Sequence, residues 1–228
     1  MSATAHKGLS RSIEDYLKVI YKLQRDSGSA QTSAIAEALA IAPPSVSGMV
    51  KRLAEAGLLT HAPYRGVQLT EDGERQALKM VRRHRILESY LIEELGYDWH
   101  NVHEEAERLE HAVSDDLIER MDRALGSPSH DPHGAPIPTA DGEIETPHYV
   151  PMTEFEAGST GHLRMVGDTD SEKLRFIASL GLRPGVEFQV VARQPFNGPL
   201  TIRLAGEREE VIGYELASSM LCQEGSGE

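Results

Sequence analysis

At 228 residues and 39% hydrophobic content, the chain can bury two modest cores or three small ones. A single cysteine, Cys222, excludes an intrachain disulfide and a cysteine-based zinc site, and no apolar run forms a signal segment or a membrane span, so a soluble cytoplasmic protein is expected. The formal charge of −13 taken alone argues against nucleic acid, but residues 1–84 hold 12 Lys and Arg against 8 Asp and Glu (+4), residues 85–160 hold 4 against 18 (−14), and residues 161–228 hold 7 against 10 (−3).

Ser10 or Ser12 can cap a first helix, striped by Ile13, Tyr16, Leu17, Ile20, Tyr21 and Leu23. Thr32 or Ser33 can cap a short second helix through Ile35, Ala36 and Leu39. Pro43-Pro44 opens a third, with Val46, Met49, Val50 and Leu53 facing inward and Gly57 ending it. Leu58–His61 and Gly66–Leu69 read as two short strands around the turn Pro63-Tyr64-Arg65. Three helices and a two-stranded ribbon make a winged helix-turn-helix. A long helix follows from Thr70, and its Leu78, Val81, Ile86, Leu87, Tyr90, Leu91 and Ile92 supply more apolar surface than one stripe needs, an excess that a partner subunit can cover. Two more helices are expected over 101–112 and 114–125, the second capped by Ser114. Residues 126–160 lack helical period and read as an irregular linker. The tail from about residue 151 reads as β-rich, with strands at 161–166, 186–193, 200–204 and 210–212 and a helix at 171–180.

The third helix of such a motif enters the major groove, led by its N-terminal residues. Those are Pro43, Pro44, Ser45, Ser47 and Gly48. Serine hydroxyls bond to bases or phosphates, Gly48 permits close approach, and Lys51 and Arg52 neutralise phosphates. Arg65 at the wing tip reaches a flanking phosphate or the minor groove. Ser12, Thr32 and Ser33 complete the expected DNA contacts. The plain alternative is a protein-binding winged helix or ordinary surface charge.

His103, Glu107, Glu110 and His111 share a helical face, as do His84 and Glu88. Carboxylates packed on one turn repel each other, and a divalent cation relieves that cost. Oxygen and imidazole donors without a thiol suit manganese or ferrous iron. Against this stand ordinary readings: a partly buried histidine and a solvated acidic face. His6, His61, His100, His130, His133, His148 and His162 lack acidic company and read as surface or linker residues.

Together these segments resemble the iron- and manganese-dependent repressors of the DtxR/MntR family in their long form. The resemblance is carried by Glu14-Asp15-Tyr16-Leu17, Pro44-Ser45-Val46-Ser47, His84-Arg85-Ile86-Leu87-Glu88, the run from His103 to His111, and Pro132-His133-Gly134-Ala135-Pro136-Ile137-Pro138. The tail is similar to the family's SH3-like, FeoA-type domain through Asp168 to Pro184 and Asn197-Gly198-Pro199-Leu200. The resemblance implies a primary metal site on Asp15, Glu107, Glu110 and His111. Iron sensors of the family carry a methionine and a cysteine where this chain has Asp15 and Glu107, whereas manganese sensors carry acids. It implies an ancillary site on His84, Glu88 and His103 with a tail ligand, Asp170, or else its neighbours Asp168 or Glu172. Lys173 stands where some iron-type members carry a glutamine ligand, and Lys18 where short manganese-type members carry a glutamate; a protonated lysine cannot coordinate.

The expectation is an α+β chain in four parts: a winged helix-turn-helix DNA-binding domain (1–70), a helical dimerisation and metal-binding domain (71–127), a linker (128–150) and an SH3-like domain (151–228). It is expected to act as a homodimeric Mn²⁺-activated regulator of double-stranded operator DNA, repressing manganese uptake genes, with no membrane partner. The alternatives are an Fe²⁺-dependent repressor, a helical di-metal enzyme built on E-x-x-H helices, and a regulator with an organic effector.

Overall fold

A computed structural model describes residues 9–62, 66–167 and 169–225, so Arg65 and Asp168 lie outside the described residues. The chain divides into two compact units. One runs to His84 and takes in Pro138–Ile144; the other comprises Arg85–Ile137 and the chain from Glu145 onward.

The first unit holds α1 (Arg11–Ser27), α2 (Thr32–Ala38), α3 (Pro43–Glu55), β1 (Leu59–Ala62), β2 (Gly66–Leu69) and the start of α4 (Glu71–Glu93). Tyr16, Leu17, Ile20, Ile35, Val46, Val50 and Leu53 fill its core, so each expected helical stripe is the buried one. Ser10 is the N-cap of α1, but its side chain makes no capping bond. The N-cap of α2 is Gln31, which leaves Thr32 and Ser33 inside the first turn rather than before it. Pro43 and Pro44 occupy the first turn of α3, where a missing N–H costs nothing. β1 and β2 pair antiparallel, Leu59 opposite Leu69, and Ala30 bridges to Val67 as a third pairing. Gly66 is required there: its φ is +83°, and a Cβ would sit 2.6 Å from the Ala30 carbonyl oxygen.

The second unit continues α4 and adds α5 (Val102–Leu109), α6 (Asp115–Ala124) and a β-module. Most of the apolar residues of α4 are covered within the chain. Leu78 and Val81 are buried in the first core, and Ile86, Leu87 and Leu91 pack with Val102, Ala106, Ile118 and Ile137. The chain itself thus covers much of the excess, while Tyr90 and Ile92 remain half-buried. The large apolar side chains left exposed in this region are Leu95, Tyr97 and Leu117. Helix α5 ends earlier than expected, with Glu110 as its C-cap and His111 in the following turn. Ser114 caps α6, its hydroxyl accepting from the Leu117 amide at 3.2 Å.

The β-module contains β3 (Val150–Pro151), β4 (Thr160–Val166), α7 (Ser171–Ser179), β5 (Glu187–Arg193), β6 (Leu200–Arg203), β7 (Glu209–Ile212), α8 (Tyr214–Ser218) and β8 (Met220–Glu224). One antiparallel sheet runs β3-β8-β4-β5-β6-β7. The four expected strands are present. The unexpected β8 lies inside the sheet, paired to β3 and β4, which its local sequence does not announce. No single helix among the described residues is long and apolar enough to cross a membrane.

Residues 126–149 form no named helix or strand, as expected, yet part of this stretch is packed as a strap. Asp131 Oδ1 accepts from the amides of His133 (2.8 Å) and Ala135 (2.9 Å), a tight Asp-led turn. Gly134 has φ +88°, and a Cβ would fall 1.7 Å from the Arg164 carbonyl oxygen, so only glycine allows this approach to β4. The Val166 amide donates to the His133 carbonyl, Trp99 Nε1 donates to the Pro132 carbonyl at 2.8 Å, and Arg85 donates to the Pro136 carbonyl. Trp99 itself packs in the core of the β-module.

Candidate DNA-reading face and metal centre

Helix α3 presents two faces. Val46, Val50 and Leu53 are buried, while Pro43, Pro44, Ser45, Ser47, Gly48, Lys51 and Arg52 are exposed. Ser47 leans back on the Pro43 carbonyl at 3.4 Å, and Lys51 pairs loosely with Glu55 at 3.9 Å. An exposed pair of this kind contributes little and yields readily to a phosphate. A Cβ at Gly48 would meet nothing within 4 Å, so the fold does not demand glycine there. Ser12 and Ser33 are exposed and Thr32 is half-buried.

Of the metal-ligand candidates of the second unit, Glu88, His103 and Glu107 come together, with His103 between the two carboxylates. Glu88 is wholly buried. Its Oε1 lies 3.1 Å from His103 Nδ1, and its Oε2 lies 3.6 Å from His133 Nδ1. His103 Nε2 in turn lies 3.7 Å from Glu107 Oε1, the i,i+4 contact that the sequence leads one to expect. Glu110 is wholly buried, with His111 Nε2 3.5 Å from its Oε1. In the first unit Asp15 is half-buried on α1, and His84 is buried with its Nδ1 3.3 Å from Lys18 Nζ. Asp170 is the N-cap of α7, its Oδ1 accepting from the Lys173 amide at 2.9 Å, which leaves lone pairs on both oxygens for another partner. Glu172 is exposed in the first turn of the same helix.

His133 corrects the sequence reading. Expected at the surface or in a linker, it is only 1% exposed; its Nε2 lies 2.9 Å from the Trp99 carbonyl and its ring 5.0 Å from the Trp99 indole, which also carries the Arg183 guanidinium at 4.5 Å. The sequence reading also missed Asp131, whose Oδ2 lies 3.4 Å from Arg85 Nε. Burial, with the Glu88 charge nearby, pushes the Asp131 carboxyl up to about 6, although Arg85 and His133 pull the other way. Burial pulls the His133 ring down, but the Glu88 and Asp131 carboxylates outweigh it and leave the value raised. The one local signal was the Asp-Pro-His-Gly turn itself.

Two buried carboxylates, Glu88 and Asp131, and two imidazoles, His103 and His133, therefore stand together, with Arg85 beside Asp131. Buried charge of this kind carries a solvation cost, and carboxylate and imidazole donors are the types that suit a hard or borderline divalent ion. The one thiol, Cys222, is wholly buried in the β-module core, and burial raises it to about 12, so it offers no thiolate.

The sequence matches three family models: the N-terminal DNA-binding domain of iron-dependent repressors over residues 8–67, their metal-binding and dimerisation domain over 70–139, and the FeoA domain over 150–224. The chain is 31% identical over 223 residues to the iron-dependent repressor IdeR of Mycobacterium tuberculosis (strain ATCC 25618 / H37Rv), covering 91% of this chain and 94% of that one. It is 31% identical over 228 residues to the diphtheria toxin repressor of Corynebacterium diphtheriae, covering 96% and 99%. A manganese-dependent transcriptional repressor solved in complex with manganese is 39% identical and superimposes with a TM-score of 0.87, covering 93% and 99%. These relatives are repressors, so the di-metal enzyme reading of the E-x-x-H pattern falls away. The chain belongs to the DtxR family of metal-dependent, DNA-binding transcriptional repressors, in the form that carries a C-terminal FeoA domain.

Proposed function

We propose that this protein is a cytoplasmic, homodimeric repressor activated by Mn²⁺ and acting on manganese uptake genes. The observation that carries the metal assignment is the donor chemistry. The candidate ligands are carboxylates and imidazoles, and the chain's one thiol is locked in the core of the β-module. Removing sulfur and adding carboxylate hardens a site and favours Mn²⁺ over softer ions.

Asp15, Glu107, Glu110 and His111 form the proposed primary ligand set. Asp15 belongs to the first helix of the DNA-reading part, and the other three belong to α5 and its C-terminal turn. The second proposed set is His84, Glu88 and His103, with Asp170, or else Asp168 or Glu172, as the donor from the tail; His133 and Asp131 are neighbours of Glu88. A bound divalent ion supplies the positive charge that lets these carboxylates stay ionised together. The residues themselves do the coupling. Asp15 shares its helix with the core of the reader, so any arrangement that satisfies Asp15 and Glu107 together biases where the reader lies. Mn²⁺ then selects the DNA-competent state by its higher affinity for it. Two readers in a dimer match a palindromic operator on successive major grooves.

Iron is the second reading, favoured by the names of the relatives that are iron-dependent repressors. A gel shift on operator DNA with Mn²⁺, with Fe²⁺ under anaerobic conditions, and with EDTA tests both. Full operator affinity in EDTA would sink the mechanism, and activation at lower Fe²⁺ than Mn²⁺ would reverse the metal assignment.

A further inference from the structure

Residues 129–144 form a continuous run from the Glu88 centre to the core of the reader. Ser129 to Ile137 folds back on itself as a tight hairpin: the Asp131 amide donates to the Ala135 carbonyl at 2.9 Å, and the Ile137 amide to the Ser129 carbonyl at 2.8 Å. His133 stands at its tip, 3.6 Å from Glu88 Oε2. Arg85 donates to the Pro136 carbonyl, and Ile137 is buried with Ile86 and Leu87 of α4. All these residues belong to the second unit, and the very next residue, Pro138, belongs to the first. There the Pro138 carbonyl accepts from Arg82 Nη1 at 2.9 Å, the Thr139 amide donates to the Glu143 carbonyl at 2.7 Å, and Ile144 packs against the core of the reader.

Ile137 and Pro138 are thus anchored in succession, one in each unit. A peptide bond is planar and a proline's φ is fixed at about −65°, so this joint has little freedom to absorb a shift. Helix α4 crosses between the same units at His84-Arg85 without a break. A shift of the hairpin along α4 therefore has no slack in which to fade, and it reaches Pro138–Ile144. We infer that the segment from Ser129 to Ile144 is a coupling strap, which carries the state of the Glu88 carboxylate to the DNA reader independently of Asp15. The inference rests on the proposed function and deepens it, because it gives the second ligand set its own route to the reader. Glu88 acts on His133, the closed hairpin makes Ile137 follow His133, and the joint passes the movement on.

The test is amide hydrogen exchange of the full-length protein, read on the peptide covering residues 138–144, with and without Mn²⁺. Wild type is compared with a variant that has Gly-Ser-Gly inserted between Ile137 and Pro138, which leaves the bonds on either side in place. Both should bind Mn²⁺ with the same affinity by isothermal titration. Exchange of the peptide should slow on Mn²⁺ addition in wild type by at least about 5-fold, the lower end of ordinary coupling, and should not slow in the variant. Equal slowing in the insertion variant, folded by circular dichroism, overturns the inference. The Mn²⁺-dependent gain in affinity for a duplex selected from random sequence by wild type should fall in the variant as well, and an undiminished gain overturns the inference. Pro138→Ala loosens the joint without added length. It should show a smaller loss in the same direction, and it decides the matter by the same criterion if the insertion does not fold. Glu88→Gln should abolish the slowing and Asp15→Asn should keep it; the reverse pattern overturns the inference. Wild type that binds no Mn²⁺ defeats the metal reading and the strap with it, whereas wild type that binds Mn²⁺ while residues 138–144 stay unresponsive defeats the strap alone.

Discussion

His133 Nδ1 lies 3.6 Å from Glu88 Oε2, with both side chains sealed from solvent. One residue is on the long helix α4 and the other on a strap with no regular structure, and the contact makes the strap part of the wall of the candidate metal centre. The same carboxylate meets His103 through its other oxygen.

If this carboxylate is a ligand, its buried histidine neighbour sets its orientation and basicity. His133→Ala should therefore weaken Mn²⁺ binding by roughly 10- to 100-fold, as loss of such a partner commonly does. Isothermal titration of folded wild type and variant with Mn²⁺ measures it. Equal affinities would show that the strap only packs.

Glu107→Cys replaces an oxygen donor with a thiolate. The preference among Mn²⁺, Fe²⁺ and Co²⁺ should move away from Mn²⁺. Titration of both proteins with each ion reads the order directly, and an unaltered order would remove Glu107 from the ligand set.

Gly48 sits in the interior of α3 with open space where a Cβ would be. Gly48→Ala should therefore stabilise the folded protein by about 1 kcal/mol, the usual helix-interior difference. If α3 approaches the DNA closely at this point, the same methyl group should lower operator affinity. A variant with a higher melting temperature and undiminished DNA binding would mean that Gly48 does not face the groove.

Lys51 is exposed on the same helix. Lys51→Ala should weaken binding to all sequences alike and reduce the salt slope by about 1, as loss of one phosphate contact does. Ser45→Ala should instead change the preference among operators. Filter binding across a salt series and a panel of sites separates the two effects. Were both variants to alter only sequence preference, the phosphate role of Lys51 would be wrong.

Asp131 gives a pH dependence with a definite sign. Burial above all raises its carboxyl from the ordinary 3.8 to about 6. The folded protein therefore binds this proton more readily than the unfolded chain does. The resulting stabilisation is complete below about pH 4 and is lost as pH rises through about 6, on the order of 3 kcal/mol. Asp131→Asn keeps an oxygen for the His133 and Ala135 amides but cannot ionise. Relative to metal-free wild type, it should gain stability between pH 4.5 and 7.5, values chosen at about 1.5 units either side of the raised one. Urea melts at both pH values give the difference, and a constant gap would show that the Asp131 carboxyl titrates normally.

The sequence by itself determined the reader and the chemistry of the candidate metal donors. Helical period fixes a face, so Tyr16, Leu17, Ile20, Val46, Val50 and Leu53 could be assigned inward, and Ser45, Ser47, Lys51 and Arg52 outward, before any packing was known. The kinds of donor atom, and the absence of sulfur among them, are properties of composition. The tertiary structure decided what depends on partners distant along the chain. Met220–Glu224 is an inner strand because β3 and β4 pair with it, and five residues carry no local sign of that. Ile86, Leu87 and Leu91 of α4 are covered by Val102, Ala106, Ile118 and Ile137, a share of the apolar excess that only internal packing could reveal. His133 stood in a stretch of Gly and Pro that read as a tether. Asp131, two residues before it, shapes its turn, but its burial comes from Trp99 and Glu88, which lie far from it along the chain. Periodicity reports which face of an element is buried, and only the assembled chain settles what is buried against it.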